Sequence, residues 1–376
     1  MKSLLLAASL CAALCWGAPP AAKTAVPARV YMYVGTLDHK LLMFDEEKEE
    51  VAGEIPLGGI PRVTVLSRDQ TKLYIITTQM EVETVDLVAR QMTGSFSLAD
   101  EKSHPRMVRG AFGRNFPGVA VDPAGRYLYT TMRVAVKDID QYRLEPPQFV
   151  VIDLQDKKIT KTFPFPKELD QGFGFTATYK VSPDGKLLYV FDQDIVVYDL
   201  SDFHQVDRME FAKPLYPGAS PYRLAANDDP NDDPRVVTSV FTSVDPIVHK
   251  ETLGLAKLDL LTRKIDYKPI GPALPMVSFM LTPDRKFGYS LMFIGAGANR
   301  RNEFWMWDID QHKVIQRTEF PSRFNARFSM SSDGKKLFVY GAGSTIEVFD
   351  AKTLTSKKLI YLNKDTTTNL IALAKR

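Results

Sequence analysis

Residues 179–200 read YKVSPDGKLLYVFDQDIVVYDL. Two short apolar runs flank the Ser-Pro-Asp-Gly segment, and a third run ends at Asp199. Asp accepts hydrogen bonds within its own turn and Gly tolerates positive φ, so the first two runs close as a tight hairpin. The runs alternate with a period of two and carry β-branched and aromatic residues, which reads as strand rather than helix.

The same unit recurs along the chain. A β-branched run ending in Asp, then a polar turn, then another strand, appears seven times: KLLMFDEE (Asp45), VETVDLVA (Asp86), FVVIDLQD (Asp153), IVVYDLSD (Asp199), LAKLDLLT (Asp259), FWMWDIDQ (Asp308) and IEVFDAKT (Asp350). The steps from Asp45 to Asp350 average about 51 residues, close to the period of propeller blades. Upstream of most anchors lies the hairpin signature, as in VAVDPAGRYLYTT, FMLTPDRKFGYSL and FSMSSDGKKLFVY. Each repeat is therefore expected to form four short antiparallel strands. The fold class is all-β, a seven-bladed β-propeller of four-stranded blades. The first unit, from Val30 to Leu57, supplies only three strands, and TNLIALA at 368–374 remains after the last unit. Pairing this leftover strand with the first blade closes the ring and covers its sheet edges. A ring of carboxylates is one reading of the seven Asp anchors. Capping the following turn is sufficient to explain each of them.

Composition bounds the function. With 48 Lys plus Arg against 45 Asp plus Glu, the net charge is +3, which leaves no global attraction for nucleic acid or an anionic membrane. Apolar residues make up 45% of the chain, enough for a large core and outside the disordered range. Residues 1–18 combine Lys2, an apolar run from Leu4 to Trp16 and small residues at Gly17 and Ala18. They read as a secretory signal peptide cut near Gly17 or Ala18, followed by a linker over 19–29 and the propeller over 30–376. Cys11 and Cys15 are the only cysteines, so the exported chain would carry no disulfide, thiol nucleophile, zinc-thiolate site or C-x-x-C-H haem attachment. No later apolar run is long enough to span a membrane.

The connections are unequal. Turns between first and second strands and between third and fourth strands are short, with one exception, AANDDPNDDPRV at 225–236. The inserted sequence falls at 99–117, 133–148, 166–176, 213–220, 243–252 and 295–303. Those segments join blade to blade or the second strand to the third, so they emerge on one side of the disc, where binding chemistry is expected. Candidate residues there are His104, Arg106, Arg109 and Arg114, with Phe112 and Phe116; Asp138, Asp140 and Tyr142; Asp245 and His249; and Arg300 and Arg301. Arg beside aromatic anchors suits a protein interface. His104 or His249 beside a carboxylate also has the makings of a general base, although an ordinary surface histidine is the commoner outcome. Gly295–Gly297 with Asn299 reads as an anion nest or as a flexible hairpin. Asp228, Asp229, Asp232 and Asp233 sit in a first-to-second-strand turn, as a cation loop or as a solvated surface loop. No Ser-His-Asp order, H-E-x-x-H, P-loop or helix-opening G-x-G-x-x-G is present, so no hydrolytic, phosphate or dinucleotide motif is assigned.

Two resemblances follow from these residues. The stretch 179–200 is similar to the YVTN-type periplasmic propellers. RVAVKDIDQYRLEPPQFVVIDLQDKKI at 133–159, TSVDPIVHKETLGLAKLDLLTRKI at 242–265 and NARFSMSSDGKKLFVYGAGSTIEVFDAKTL at 325–354 resemble the propeller (β) subunit of quinohaemoprotein amine dehydrogenase. That resemblance implies a periplasmic complex in which a dihaem cytochrome c subunit and a small subunit with a tryptophan-derived quinone carry the redox groups. The propeller would hold no cofactor of its own and help wall the path of a primary amine at the interface, and the resemblance carries no catalytic residue over to this chain. Two other readings stand beside it: a stand-alone propeller hydrolase or lactonase using loop His and Asp, and a YVTN-type binding module.

Overall fold

The computed structural model describes residues 30–373 apart from 100–106, 112–117, 138, 167–176, 193, 211–222, 225–232, 245–250, 273–275 and 324. The signal-peptide and linker expectations fall outside these residues.

Seven antiparallel sheets follow one another in sequence order. The first blade holds β1 (Tyr31–Thr36), β2 (Lys40–Asp45) and β3 (Glu50–Pro56), and the second β4 (Pro61–Leu66), β5 (Lys72–Thr77), β6 (Glu81–Asp86) and β7 (Gln91–Ser97). Into the third fall β8 (Met107–Ala111), β9 (Val119–Val121), β10 (Tyr127–Lys137), β11 (Tyr142–Leu144), β12 (Gln148–Asp153) and β13 (Lys158–Pro164). The fourth is β14 (Thr178–Val181), β15 (Leu187–Phe191), β16 (Ile195–Asp199) and β17 (Gln205–Met209); the fifth is β18 (Arg223–Leu224), β19 (Val236–Val244), β20 (Glu251–Asp259) and β21 (Ile265–Pro272). The sixth is β22 (Met276–Leu281), β23 (Phe287–Ile294), β24 (Arg301–Asp308) and β25 (Lys313–Pro321), and the seventh β26 (Arg327–Met330), β27 (Lys336–Tyr340), β28 (Thr345–Asp350) and β29 (Ser356–Tyr361). The expected seven-bladed propeller is what forms.

The core lies between the blades. Alternate residues of each strand point to opposite faces of their sheet, and each face meets the next blade. Val197 of the fourth blade packs with Phe241 and Leu258 of the fifth, Tyr289 and Phe304 of the sixth with Phe328 and Phe349 of the seventh, and Phe44 of the first with Phe338 and Val348 of the seventh. The remaining four seams each have a cluster of the same kind. Every blade therefore buries both of its faces, and none is an independent hydrophobic unit.

The Asp anchors do what their position requires. Asp45 accepts the N–H groups of Glu47 and Lys48, Asp86 those of Val88 and Ala89, and Asp153 those of Gln155 and Asp156. Asp199, Asp259, Asp308 and Asp350 cap their turns in the same way. Four residues beyond each anchor the backbone turns left-handed, at Glu49, Arg90, Lys157, Phe203, Arg263, His312 and Leu354, with φ between 53° and 60°. The hairpin is thus a capped turn with a bulge, and the repeat is built from a local backbone device as well as from hydrophobic spacing.

Closure differs in detail from the expectation. The terminal segment does not run as a regular strand over 368–374 but makes two isolated antiparallel bridges, Tyr33↔Ile371 and Thr36↔Thr366, out of register with one another. Between them the Thr368 hydroxyl accepts the Gly35 N–H at 2.8 Å, replacing a backbone carbonyl that the irregularity displaces. Gly35 has no room for a side chain here, because a Cβ would collide with Pro61 and with Thr368. Lys364 ties the segment to Asp38 and Glu54 of the first blade, each at 2.7 Å.

Four segments read as connections, 99–117, 133–148, 243–252 and 295–303, are partly strand. β10 continues through Arg133 to Lys137, where it pairs with β8 and β11 beyond the regular blade. The 243–252 and 295–303 segments contribute the ends of β19, β20 and β24, with a 3-10 turn at Gly297–Asn299. Backbone pairing carried these strands past the point where their side chains stop alternating.

Candidate functional site

Antiparallel neighbours reverse direction at each step, so successive connections alternate between the two faces of the disc. On one face lie the turns from first to second strand and from third to fourth strand. Four of the former share one device: a Ser or Thr hydroxyl donates to an Asp two residues on, from Ser67 to Asp69, Ser182 to Asp184, Thr282 to Asp284 and Ser331 to Asp333, at 2.5 to 2.7 Å. The third blade departs from it. Asp122 replaces the hydroxyl residue and itself accepts the N–H groups of Arg126 and Tyr127 at 2.6 and 2.7 Å, and Ala124 stands where the Asp would be.

The opposite face carries the long connections, and most of the candidate residues there lie outside the described residues: His104, Arg106, Arg114, Asp138, Asp245 and His249. Arg109 falls in β8 and Tyr142 in β11, two strands that flank the extension of β10 on opposite sides, since Ala135 of β10 pairs with both; the two residues therefore lie on the two outer strands of one small sheet. Asp140 is exposed in the bend before β11. Arg300 and Arg301 are exposed where β23 connects to β24 within the sixth blade. The Arg300 guanidinium lies over the Phe293 ring at 3.9 Å, and Arg301 reaches Glu319 at 4.0 Å. Stacking fixes Arg300 as a presented cation rather than a free tether. Of the acidic tetrad, Asp228, Asp229 and Asp232 lie outside the described residues. Asp233 caps the Arg235 N–H at 2.9 Å and pairs with Arg285 of the next blade at 3.4 Å, a structural role. Among the described residues no group of three or more His, Cys, Asp or Glu is arranged to hold a metal, and no helix is long and apolar enough to cross a membrane.

The short-turn face holds features that sequence reasoning did not locate. A groove of about 610 Å³ opens at the seam of the third and fourth blades, between the turns at Asp122–Ala124, Pro183–Lys186 and Asp199–Ser201, with Tyr127 and Tyr129 in its wall. Nearer the axis a smaller space of about 170 Å³ is lined by Val65, Val119, Tyr179 and Pro234. At its rim Arg68 of the second blade donates to the Pro183 carbonyl of the fourth at 3.0 Å, spanning the third blade.

One buried acid lies at the seam of the first and second blades. Glu83 is fully buried in β6. Its Oε1 accepts the Gly58 and Gly59 N–H groups at 2.8 and 3.1 Å, and its Oε2 has no partner. Burial pushes its carboxyl above the usual range, against the opposing pull of those two N–H groups.

No protein-family profile matches the chain, and no curated protein matches it. Solved structures do. A dihydro-heme d1 dehydrogenase, NirN, in complex with DHE superposes with a TM-score of 0.53 at 14% identity, over 92% of this chain and 75% of that one. A functionally unknown protein from Desulfotomaculum acetoxidans gives 0.53 at 11% identity, over 92% of this chain and 97% of its own. The hydrazine synthase of Kuenenia stuttgartiensis gives 0.47 at 17% identity, over 84% and 87%. At such identities the likeness is one of fold, and in fold the chain is a seven-bladed β-propeller.

Proposed function

We propose that this chain is the propeller subunit of a periplasmic complex built like quinohaemoprotein amine dehydrogenase. In this reading a dihaem cytochrome c subunit and a quinone-bearing small subunit dock on the face of long connections, and a primary amine enters where they meet. The observation that carries the proposal is the one-sided elaboration of the ring. Seven blades locked by shared cores make a stiff platform, and every long insertion except the acidic loop at 225–235 leaves it on one side. Support comes also from the sequence resemblance at 133–159, 242–265 and 325–354, and from the lack of any cysteine beyond Cys15, which assigns covalent haem attachment to another chain. Arg300, held over Phe293, and the small sheet of β8, β10 and β11 that bears Arg109 and Tyr142 are the parts of this face offered to a partner.

The test is purification of the tagged chain from its native periplasm, followed by absorbance and quinone staining. Co-elution of a c-type cytochrome and a small quinone-positive chain is expected, and Arg300→Glu with Arg301→Glu should weaken their retention. A propeller that elutes alone, without haem absorbance, overturns the proposal.

A further inference from the structure

A tyrosine occupies the same position in the second strand of five blades, opposite the residue two before the anchor Asp: Tyr33, Tyr74, Tyr129, Tyr189 and Tyr289. Four of these hydroxyls staple their blade to the next. Tyr33 donates to the Leu87 carbonyl at 3.4 Å, Tyr74 to Gly125 at 3.0 Å, Tyr189 to Leu260 at 2.6 Å and Tyr289 to Ala351 at 3.1 Å. Tyr129 is 6% exposed, yet its hydroxyl makes no hydrogen bond among the described residues. Leu200, the counterpart of Leu87, Leu260 and Ala351, lines the groove instead. The hydroxyl is not sealed from solvent; it meets water through the groove that Tyr129 lines.

The walls of that groove carry an unbalanced charge. Asp122, Asp184 and Asp199 each use Oδ1 for their own turn, which leaves Oδ2 without a partner among the described residues in each case. None of the three has an ion pair within 4 Å among the described residues, and Lys186 is the single cation in the wall. Tyr127 and Tyr129 add aromatic surface, with Pro123, Pro183 and Leu200 as apolar lining. Free carboxylate oxygens, phenol rings and an unpartnered hydroxyl together match a guanidinium or ammonium on an aliphatic stem, which gains charge-assisted hydrogen bonds and cation–π contact at once. The groove lies open on the disc face, which suits a side chain delivered by an extended peptide better than an enclosed small molecule.

We propose that the seam between the third and fourth blades is a docking groove for an arginine side chain of a partner polypeptide, held by the Asp122, Asp184 and Asp199 carboxylates and the Tyr129 hydroxyl. The groove is on the face opposite the long connections, so this inference stands apart from the proposed function.

The experiment titrates the full chain, labelled with fluorotyrosine, with acetyl-Gly-Arg-Gly-amide and with its citrulline counterpart, and follows fluorine NMR. Tyr127→Phe and Tyr129→Phe assign the two reporting resonances. A saturable shift at those resonances is expected with the arginine peptide. Binding should be about ten-fold weaker in Asp184→Asn combined with Asp199→Asn, a change that keeps the turn-capping Oδ1 acceptors. Lys186→Ala, which removes the competing cation, should tighten it. No saturable shift, equal affinity for the citrulline peptide, or affinity unchanged in the Asn pair overturns the proposal.

Discussion

Glu46 of the first blade and Ser332 of the seventh are 286 residues apart in the chain, and two hydrogen bonds join them. The Ser332 N–H donates to Oε2 at 2.9 Å and the Ser332 hydroxyl donates to Oε1. Both residues are buried. Lys336 adds a bond to the Glu46 carbonyl at 3.0 Å and a pair with Glu49 at 2.8 Å. The short-turn face of the ring is therefore pinned shut beside the seam that the chain ends close. Ser332→Ala removes the hydroxyl donor from a buried acid and should cost about 1–3 kcal/mol. The double-mutant cycle with Glu46→Gln, read by urea denaturation, should show coupling well above that of a surface pair.

The tyrosine staples make a paired prediction. Burial pushes the Tyr189 hydroxyl up to about 12, and its 2.6 Å bond to Leu260 crosses from the fourth blade to the fifth. Tyr189→Phe should destabilise by about 1–2 kcal/mol, because it strands a carbonyl. Tyr129→Phe, which breaks no such bond, should change the denaturation midpoint little. Equal losses in the two variants would contradict the difference between the seams.

Lys157 sits four residues after Asp153 with φ of 56°, a conformation that costs a residue with a Cβ on the order of 1 kcal/mol. Lys157→Gly should raise thermal stability by a degree or more, since glycine adopts this geometry without strain. A lowered melting temperature would show that the lysine side chain contributes more than its backbone strain costs.

Acid should loosen the ring through its turns. Backbone and side-chain donors hold the carboxyls of Asp153, Asp199, Asp259 and Asp350 below the usual range. A depressed folded value means that the unfolded chain takes up protons first. The stabilisation is therefore complete above the unfolded value of about 4 and is lost as pH falls through the folded values. Urea midpoints measured from pH 6 downwards should fall steeply below about pH 4. Glu83 has the opposite sign: its raised folded value makes charging costly, so stability declines as pH rises through that value. Glu83→Gln should gain on the parent chain as pH rises above the unfolded value of about 4, and the gain should level off once the raised folded value is passed.

Removal of the residues after Leu362 takes away the bridges at Tyr33 and Thr36 and the buried Leu370 and Ala372. It also leaves the edge of β1 unpaired. Light scattering should report association of the truncated chain at temperatures where the full chain stays dispersed.

The architecture was legible because it rests on local chemistry repeated many times. An Asp at the end of each third strand, and a hydroxyl-x-Asp or Asp-x-x-Gly turn after five of the first strands, show in the sequence whatever the rest of the molecule does. The closing segment was legible only in outline, since its bulge depends on Thr368 meeting Gly35 across 333 residues. The extension of β10 was missed because its partners, β8 and β11, lie in connections without a strand pattern of their own. The groove was missed for a different reason. Whether Tyr129 reaches a carbonyl is a distance between blades, and Tyr129 reads in sequence like Tyr74 or Tyr189. The one local hint is Asp122-Pro123-Ala124, where the other turns carry Ser or Thr with a following Asp. As for the long-connection face, strand and turn patterns say where the chain leaves the scaffold and little about how the departing side chains meet.

Arg68 ties two blades that are not neighbours. Its guanidinium reaches from the second blade to the Pro183 carbonyl of the fourth, so the third blade is bracketed by a clasp to which it contributes no atom.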